Sequence, residues 1–228
     1  MAAIDIIIPV YNQAHLISGC IDSICKQTYR DFSIIVVDDG STDRLADKLQ
    51  PYATRVRYIR QSNQGAPAAR NRGAKEGSGE YILFCDADVL LSKKFLERHT
   101  QNLHQHKTPA YSYSSFKYGF KTFRTYPFDA KRLRQTPYIH TTSLLRKKYF
   151  PGFDENLKRF QDWDLWLTLL DQGYTGVWVD EVLFTVQPGG TMSHWLPEFA
   201  FSVLPWLPSV RAYRAAAAIV KAKHQGKT

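Results

Sequence analysis

The sequence predicts an α/β fold, a mostly parallel central sheet flanked by helices, and three observations carry that prediction. Four short apolar runs rich in β-branched residues fall within about the first ninety residues. Stretches with helical spacing of apolar residues separate them. Each run ends in a turn-forming or acidic segment. Strands alternating with helices at this spacing are the signature of a parallel sheet with right-handed crossovers.

The elements follow in order. Ile4-Asp5-Ile6-Ile7-Ile8-Pro9-Val10 is a buried strand closed by a proline. Residues 14–26 carry Leu16, Ile17, Cys20, Ile21 and Ile24 on one helical face. Phe32-Ser33-Ile34-Ile35-Val36-Val37 is the second strand, and Asp38-Asp39-Gly40-Ser41-Thr42-Asp43 is a turn suited to capping the next helix. Val56-Arg57-Tyr58-Ile59 is a short third strand. Residues 65–76 form a loop running into a helix, which Gly77-Ser78-Gly79 breaks before the fourth strand. The second half has a different pattern: a helix over 93–106, a Tyr-, Phe- and Lys-rich stretch of strand character over 111–128, a strand over 141–145, an amphipathic helix over 161–172 and a last core strand over 182–186.

The fourth strand ends in Phe84-Cys85-Asp86-Ala87-Asp88. Residues two apart in a strand share a face, so Asp86 and Asp88 converge on one point. Two carboxylates held together are costly without a positive partner, and a hard divalent cation with the phosphates it bridges is the usual one. A surface turn or a helix cap is the competing role. Open α/β sheets bind their ligands outside the carboxyl ends of the strands, which is where these two acids fall.

Composition narrows the classes further. The 228 residues are 44% hydrophobic and 14% aromatic, enough for an ample core in one large domain or a domain with an appendage. No run of eighteen or more apolar residues is present, and the N-terminus lacks the pattern of a secretory signal. Cys20, Cys25 and Cys85 have no metal-type spacing and read as reduced thiols of a cytoplasmic protein. The net charge of +9 is spread along the chain without a nucleic-acid motif, so an anionic membrane or a phosphorylated substrate suits it better than nucleic acid.

Five stretches together resemble the family 2 glycosyltransferases of the GT-A fold. They are Ile6-Ile7-Ile8-Pro9-Val10-Tyr11-Asn12, residues 34–43, residues 63–73, Asp86-Ala87-Asp88, and Gln161-Asp162-Trp163-Asp164-Leu165-Trp166. The resemblance covers residues 4 to about 190 and implies a Rossmann-like sheet. It divides the chain into a domain over 1–193, with a nucleotide-binding half (1–90) and an acceptor-binding half (91–193), and an aromatic, basic extension over 194–228. It also implies transfer of a sugar from a nucleoside diphosphate donor, a uridine diphosphate sugar, to an acceptor hydroxyl in a cell-surface polysaccharide or glycolipid, with inversion at the anomeric carbon.

Roles follow residue by residue from that resemblance. Pro9, Val10 and Tyr11 wall the nucleobase, Asp39 accepts from base or ribose, and Arg70 lies against base or phosphates while Asn71 fixes its loop. Ala87 lines the donor site between the two acids. Asp86 binds the ribose or a metal-bound water, and Asp88 binds the cation, Mn²⁺ or Mg²⁺. Asp162 is the general base, although a carboxylate in the first turn of a helix also serves as a cap.

Two departures stand out. The family usually carries Glu-Asp where this chain has Gln161-Asp162. The Gly-rich loop after the last core strand opens with Gln187 where a basic residue is usual, and His194 is the candidate to replace it as a metal or phosphate ligand. The aromatic segment 195–208 and the basic helix after it either meet a membrane, near a glycan or lipid-linked acceptor, or pack on this domain or on a second copy in a homodimer. A nucleotidyltransferase, and a non-catalytic nucleotide-sugar or glycan-binding module, are the alternatives. The first wants a basic phosphate loop after the first strand, and Tyr11-Asn12-Gln13-Ala14-His15 is not one.

Overall fold

The computed structural model describes residues 3–189 and 206–226. Its N-terminal half runs β1 (Ile4–Val10), α1 (Ala14–Cys25), β2 (Phe32–Asp38), α2 (Leu45–Leu49), β3 (Val56–Arg60), α3 (Ala66–Glu76) and β4 (Tyr81–Phe84). The four strands pair in parallel, in the spatial order β3-β2-β1-β4. All seven residues of β1 are buried, and their side chains alternate between the two faces. Ile4, Ile6 and Ile8 face α1, while Ile7 packs with Ala69 and Ala74 of α3. Each such isoleucine contributes about 1.5–3 kcal/mol relative to exposure.

Pro9 lies in β1 without costing a ladder bond. Residues of β1 that point toward β4 end their pairing at Ile7↔Phe84, so the missing N–H at Pro9 falls beyond β4. Gly73 is required by the close docking of α3 on β1 and β2: a Cβ there would overlap the Ile7 side chain and crowd Val37. Gly73→Ala is expected to cost about 1–3 kcal/mol, read as a lower urea midpoint with an unchanged slope.

The second half continues with β5 (Val89–Leu91), α4 (Phe95–Gln105), β6 (Tyr111–Tyr118), β7 (Lys121–Phe123), α5 (Ala130–Gln135), β8 (Leu144–Arg146), α6 (Gln161–Asp171), β9 (Gly176–Val186) and α7 (Pro208–Lys223). The sheet extends from β4 through β8, β6, β9 and β5, with β7 paired to β6. β8 is antiparallel to its neighbours, as is β5 to β9, whereas β6 and β9 are parallel. α1 and α4 cover one face of the sheet; α3 and α6 cover the other.

Two sequence expectations change here. The last core strand is longer than 182–186, because β9 begins at Gly176. Asp180 and Glu181 hide its first half from a hydrophobicity pattern, and they are exposed beside the irregular register opposite Ser114 and Ser115. Asp43 does not cap the helix that follows it. Its Oδ2 accepts from the backbone N–H of Ala14, 2.8 Å away, and so caps α1.

The described part of the C-terminal extension packs on the domain. Val210 and Val220 are buried, Tyr213 stands edge-on to Phe160, and Lys221 lies over the Trp163 ring. Among the described residues, no helix is long and apolar enough to cross a membrane.

Candidate active site

The carboxyl ends of β1, β2 and β4 converge on one side of the sheet, where the loops carry the acidic residues. Asp86, Ala87 and Asp88 lie just past β4, in a tight turn closed by the Val89 N–H donating to the Asp86 carbonyl at 3.0 Å. A turn, not the two-residue period of a strand, therefore brings the two acids together. Their surroundings differ sharply. Asp86 is partly exposed and accepts from Arg70 Nη2 through both oxygens, at 2.8 and 3.1 Å. Asp88 is 4% exposed, and burial together with the Asp86 charge pushes its carboxyl up to about 7, against the weaker pull of its own backbone N–H and of Arg70. Its backbone carbonyl accepts from the Gln187 N–H at 2.8 Å, which ties the end of β9 to the acidic turn.

Arg70 joins the two halves of the domain. Buried on α3, it donates from Nη1 to Gln161 Oε1 at 3.0 Å, and its guanidinium lies 5.3 Å from the Phe153 ring centre. Gln161 in turn donates to the Leu157 carbonyl at 2.9 Å. A neutral residue at 161 holds Arg70 in place while leaving Asp86 as its single carboxylate partner. Asn71 clasps the loop before α6: Phe153 N donates to its Oδ1, and its Nδ2 donates to the Phe153 carbonyl and Glu155.

Asp162 sits in the first turn of α6, where Phe160 adopts a left-handed conformation with φ of 61°. A bulky residue in that region stores strain, and packing against Trp163 and Tyr213 holds it there. The Asp162 carboxylate accepts from the Trp163 N–H at 2.9 Å. Burial raises its pKa above the usual carboxylate value, with that N–H and Arg70 pulling the other way. Arg70, bonded both to Gln161 beside Asp162 and to Asp86, links the base candidate to the acidic turn.

Asp39, expected at a nucleotide, also has a structural role. Asp39 is buried and already accepts from Gln61 Nε2 (2.8 Å) and from the N–H groups of Gln64 (2.9 Å) and Gly65 (2.7 Å), bridging β2 to the loop that enters α3. Asp38 accepts from the Ser41 N–H and the Tyr58 hydroxyl, with Arg60 beside it. Both acids hold turns, and a carboxylate with three acceptor sites used has one left for a ligand. Pro9 and Val10 are buried at the end of β1, while Tyr11 beyond it is 45% exposed. Asn12 locks this corner, its Oδ1 accepting from the Thr42 N–H at 2.8 Å.

His140, packed on Phe184 near the end of β9, is a residue near this site that sequence reasoning passed over. It precedes β8 and carries no motif. Its ring is desolvated enough to lower its pKa to about 4, with Asp86 and Arg70 as the charges acting on it.

Asp88 fits a divalent cation. It is a buried carboxylate whose side chain lacks a cationic hydrogen-bond partner among the described residues, beside a second carboxylate. No group of three or more metal-ligating side chains occurs among the described residues. A cation of the Mg²⁺ type takes one or two carboxylates plus substrate phosphates and does not need a protein cage. His194 lies outside the described residues. In chelator, Asp88→Asn is expected to melt higher than the native protein at pH 8. A carboxyl raised in the folded state stabilises fully below its unfolded value of 3.8, and that contribution fades as pH rises to about 7. The gap between variant and native protein should therefore widen from pH 5 to pH 8; a constant gap would show that Asp88 ionises freely.

Comparison with known proteins gives the family and the fold. The family model described as "Glycosyl transferase family 2" matches residues 5–161. The uncharacterized glycosyltransferase EpsJ of Bacillus subtilis is 33% identical over 170 residues, covering 72% of this chain. The chain spans 46% of that relative's length. TarS 1-349 of S. aureus, solved in complex with UDP-GlcNAc, superposes with a TM-score of 0.73 at 17% identity, over 98% of this chain and 72% of that one. The mannosyltransferase PcManGT of Pyrobaculum calidifontis, in complex with GDP-Man and Mn²⁺, superposes at 0.68 with 20% identity, over 96% and 75%.

Proposed function

Because this chain belongs to glycosyl transferase family 2, we propose that it transfers a sugar from a nucleoside diphosphate donor to an acceptor hydroxyl by a single inverting displacement. The observation that carries this reading is that Arg70 at the carboxyl ends of the strands ties the Asp86–Asp88 turn to Gln161, the neighbour of Asp162. The donor is a uridine diphosphate sugar and the acceptor a cell-surface glycan or a lipid-linked one.

Pro9, Val10 and Tyr11 bound the nucleobase, and the remaining acceptor site of Asp39 takes a hydrogen bond from base or ribose. Arg70, held by Asp86 and Gln161, presents a fixed positive charge toward the phosphates. Asp88 would hold a divalent cation, Mn²⁺ or Mg²⁺, and Asp86, with Ala87 between the two acids, would take a metal-bound water or the ribose. When bound, that cation supplies charge neutralisation for the leaving diphosphate. Asp162 accepts the proton of the acceptor hydroxyl, and desolvation makes it a stronger base than a solvated carboxylate. Peripheral contact with an anionic membrane through exposed Trp206 and the basic positions of α7 belongs to the same reading, and liposome flotation of the full chain tests it.

The reading is tested by thermal melting with nucleotide sugars. Ligand at one hundred times its Kd stabilises by about 2.7 kcal/mol. The melting temperature should rise most when a nucleoside diphosphate sugar and Mn²⁺ or Mg²⁺ are present together. A flat response to uridine and guanosine diphosphate sugars with both metals would contradict it.

A further inference from the structure

We infer that His140 is a substrate-binding residue of this cleft, its Nε2–H donating to an oxygen of the bound donor. The inference deepens the proposed function and rests on its nucleotide-sugar site.

Strand register places the residue. β8 runs antiparallel to β4 with Leu83 opposite Leu144, so the chain before β8 retraces the path of the chain after β4. The His140 ring packs on Phe184, three residues before the Gln187 whose N–H donates to the Asp88 carbonyl, so it lies toward the acidic turn. Residues 140–143 are held tightly: Ser143 N donates to the Thr141 carbonyl and Ser143 Oγ to the His140 carbonyl, each at 2.8 Å.

The ring is fixed in plane and in tautomer. Phe116 and Phe184 pack against it with centroids 4.9 and 5.1 Å away. Those two rings stack on each other at 5.1 Å, so the imidazole has a rigid aromatic seat. The backbone N–H of Thr142 donates to Nδ1 at 3.0 Å. A backbone amide can only donate, so Nδ1 is an acceptor and the ring proton sits on Nε2. Among the described residues, Nε2 meets no protein acceptor. The ring is half-buried, and Asp86 and Arg70 are the charged groups acting on it.

A neutral donor, immobilised and without a protein partner in a cleft of this polarity, matches an oxygen acceptor supplied by the ligand. Two sources share that chemistry: a diphosphate oxygen and a hydroxyl of the donor sugar.

The test compares His140→Asn and His140→Gln with the native protein in calorimetric titrations, using UDP, UDP-GlcNAc, GDP and GDP-mannose with Mn²⁺. Asparagine keeps an acceptor for the Thr142 N–H and removes the donor at the Nε2 position. Glutamine restores a donor near that position. His140→Asn should weaken binding about tenfold, the scale of one hydrogen bond, and His140→Gln should recover most of the loss. Weakening for the diphosphate and its sugar alike assigns the phosphate; weakening for the sugar nucleotide alone assigns the hydroxyl. Native affinity in His140→Asn for every ligand that the native protein binds overturns the inference. A native protein that binds none of the four refutes the donor-site reading itself, and the inference falls with it. Independently of any variant, the Nε2 resonance of His140 should move on ligand addition, and an unmoved resonance also overturns it.

Discussion

Asp162→Asn is expected to lower the rate of sugar transfer by about 10²–10⁴-fold while leaving donor affinity unchanged. Asparagine keeps an oxygen in place of the one that accepts from the Trp163 N–H at 2.9 Å, so the local cap survives. It cannot take a proton from the acceptor. The substitution therefore separates two roles that one position in the first turn of a helix can have. If Asp162 only caps α6, Asp162→Asn retains activity and differs slightly in stability. If it is the base, turnover collapses in a protein that melts normally and still binds nucleotide sugar. The pH profile follows from the same group. Burial raises its pKa, and the reactive form is the carboxylate. Activity should thus fall as pH drops through that raised value, at a higher pH than a solvated aspartate would give.

His224→Ala is expected to destabilise the domain by about 2–5 kcal/mol, because two buried carboxylates each lose a hydrogen-bond partner. For a chain of this size that corresponds to a drop in melting temperature of roughly 10 °C. His224 follows α7 and is 6% exposed. Its Nδ1 lies 2.6 Å from Asp171 Oδ2 and its Nε2 lies 2.9 Å from Asp164 Oδ1, so one ring bridges two buried carboxylates of α6. Lys223 adds bonds to Asp154 (2.7 Å) and Asp164 (2.9 Å). Asp164 stands two residues from Asp162, so the last helix fastens the helix that carries the proposed base. Loss of His224 should therefore lower kcat more than it raises the KM for donor. A variant that melts with the native protein would show that α7 is dispensable to α6.

The N-terminal half was legible because local pattern and tertiary role coincide there. β1, β2 and β4 are buried on both faces and read as continuous apolar runs, and Gly77 and Gly79 mark the break before β4. The second half was less so. The start of β9 is masked by Asp180 and Glu181, and the capping role of Asp43 depends on α1, twenty-nine positions away. Asp86, Asp88, Arg70 and Asp162 were visible as residues, but not their pairing. The Arg70–Asp86 bridge and the neutral Gln161 that completes it span long stretches of sequence, so only the fold brings them together. His140 gave no signal, because its tautomer and aromatic seat are tertiary features. The bond from His224 to Asp164 is likewise invisible in a tail whose aromatic and basic composition suggested an appendage.

The most direct test of the single-displacement account is the anomeric configuration of the product, read by proton NMR of the newly formed linkage before any mutarotation. With an α-linked nucleotide sugar as donor, attack by a hydroxyl that Asp162 deprotonates opposite the leaving diphosphate gives a β-linked product. An α-linked product would contradict it, since retention requires a chemistry in which Asp162 is not the base of one inverting step.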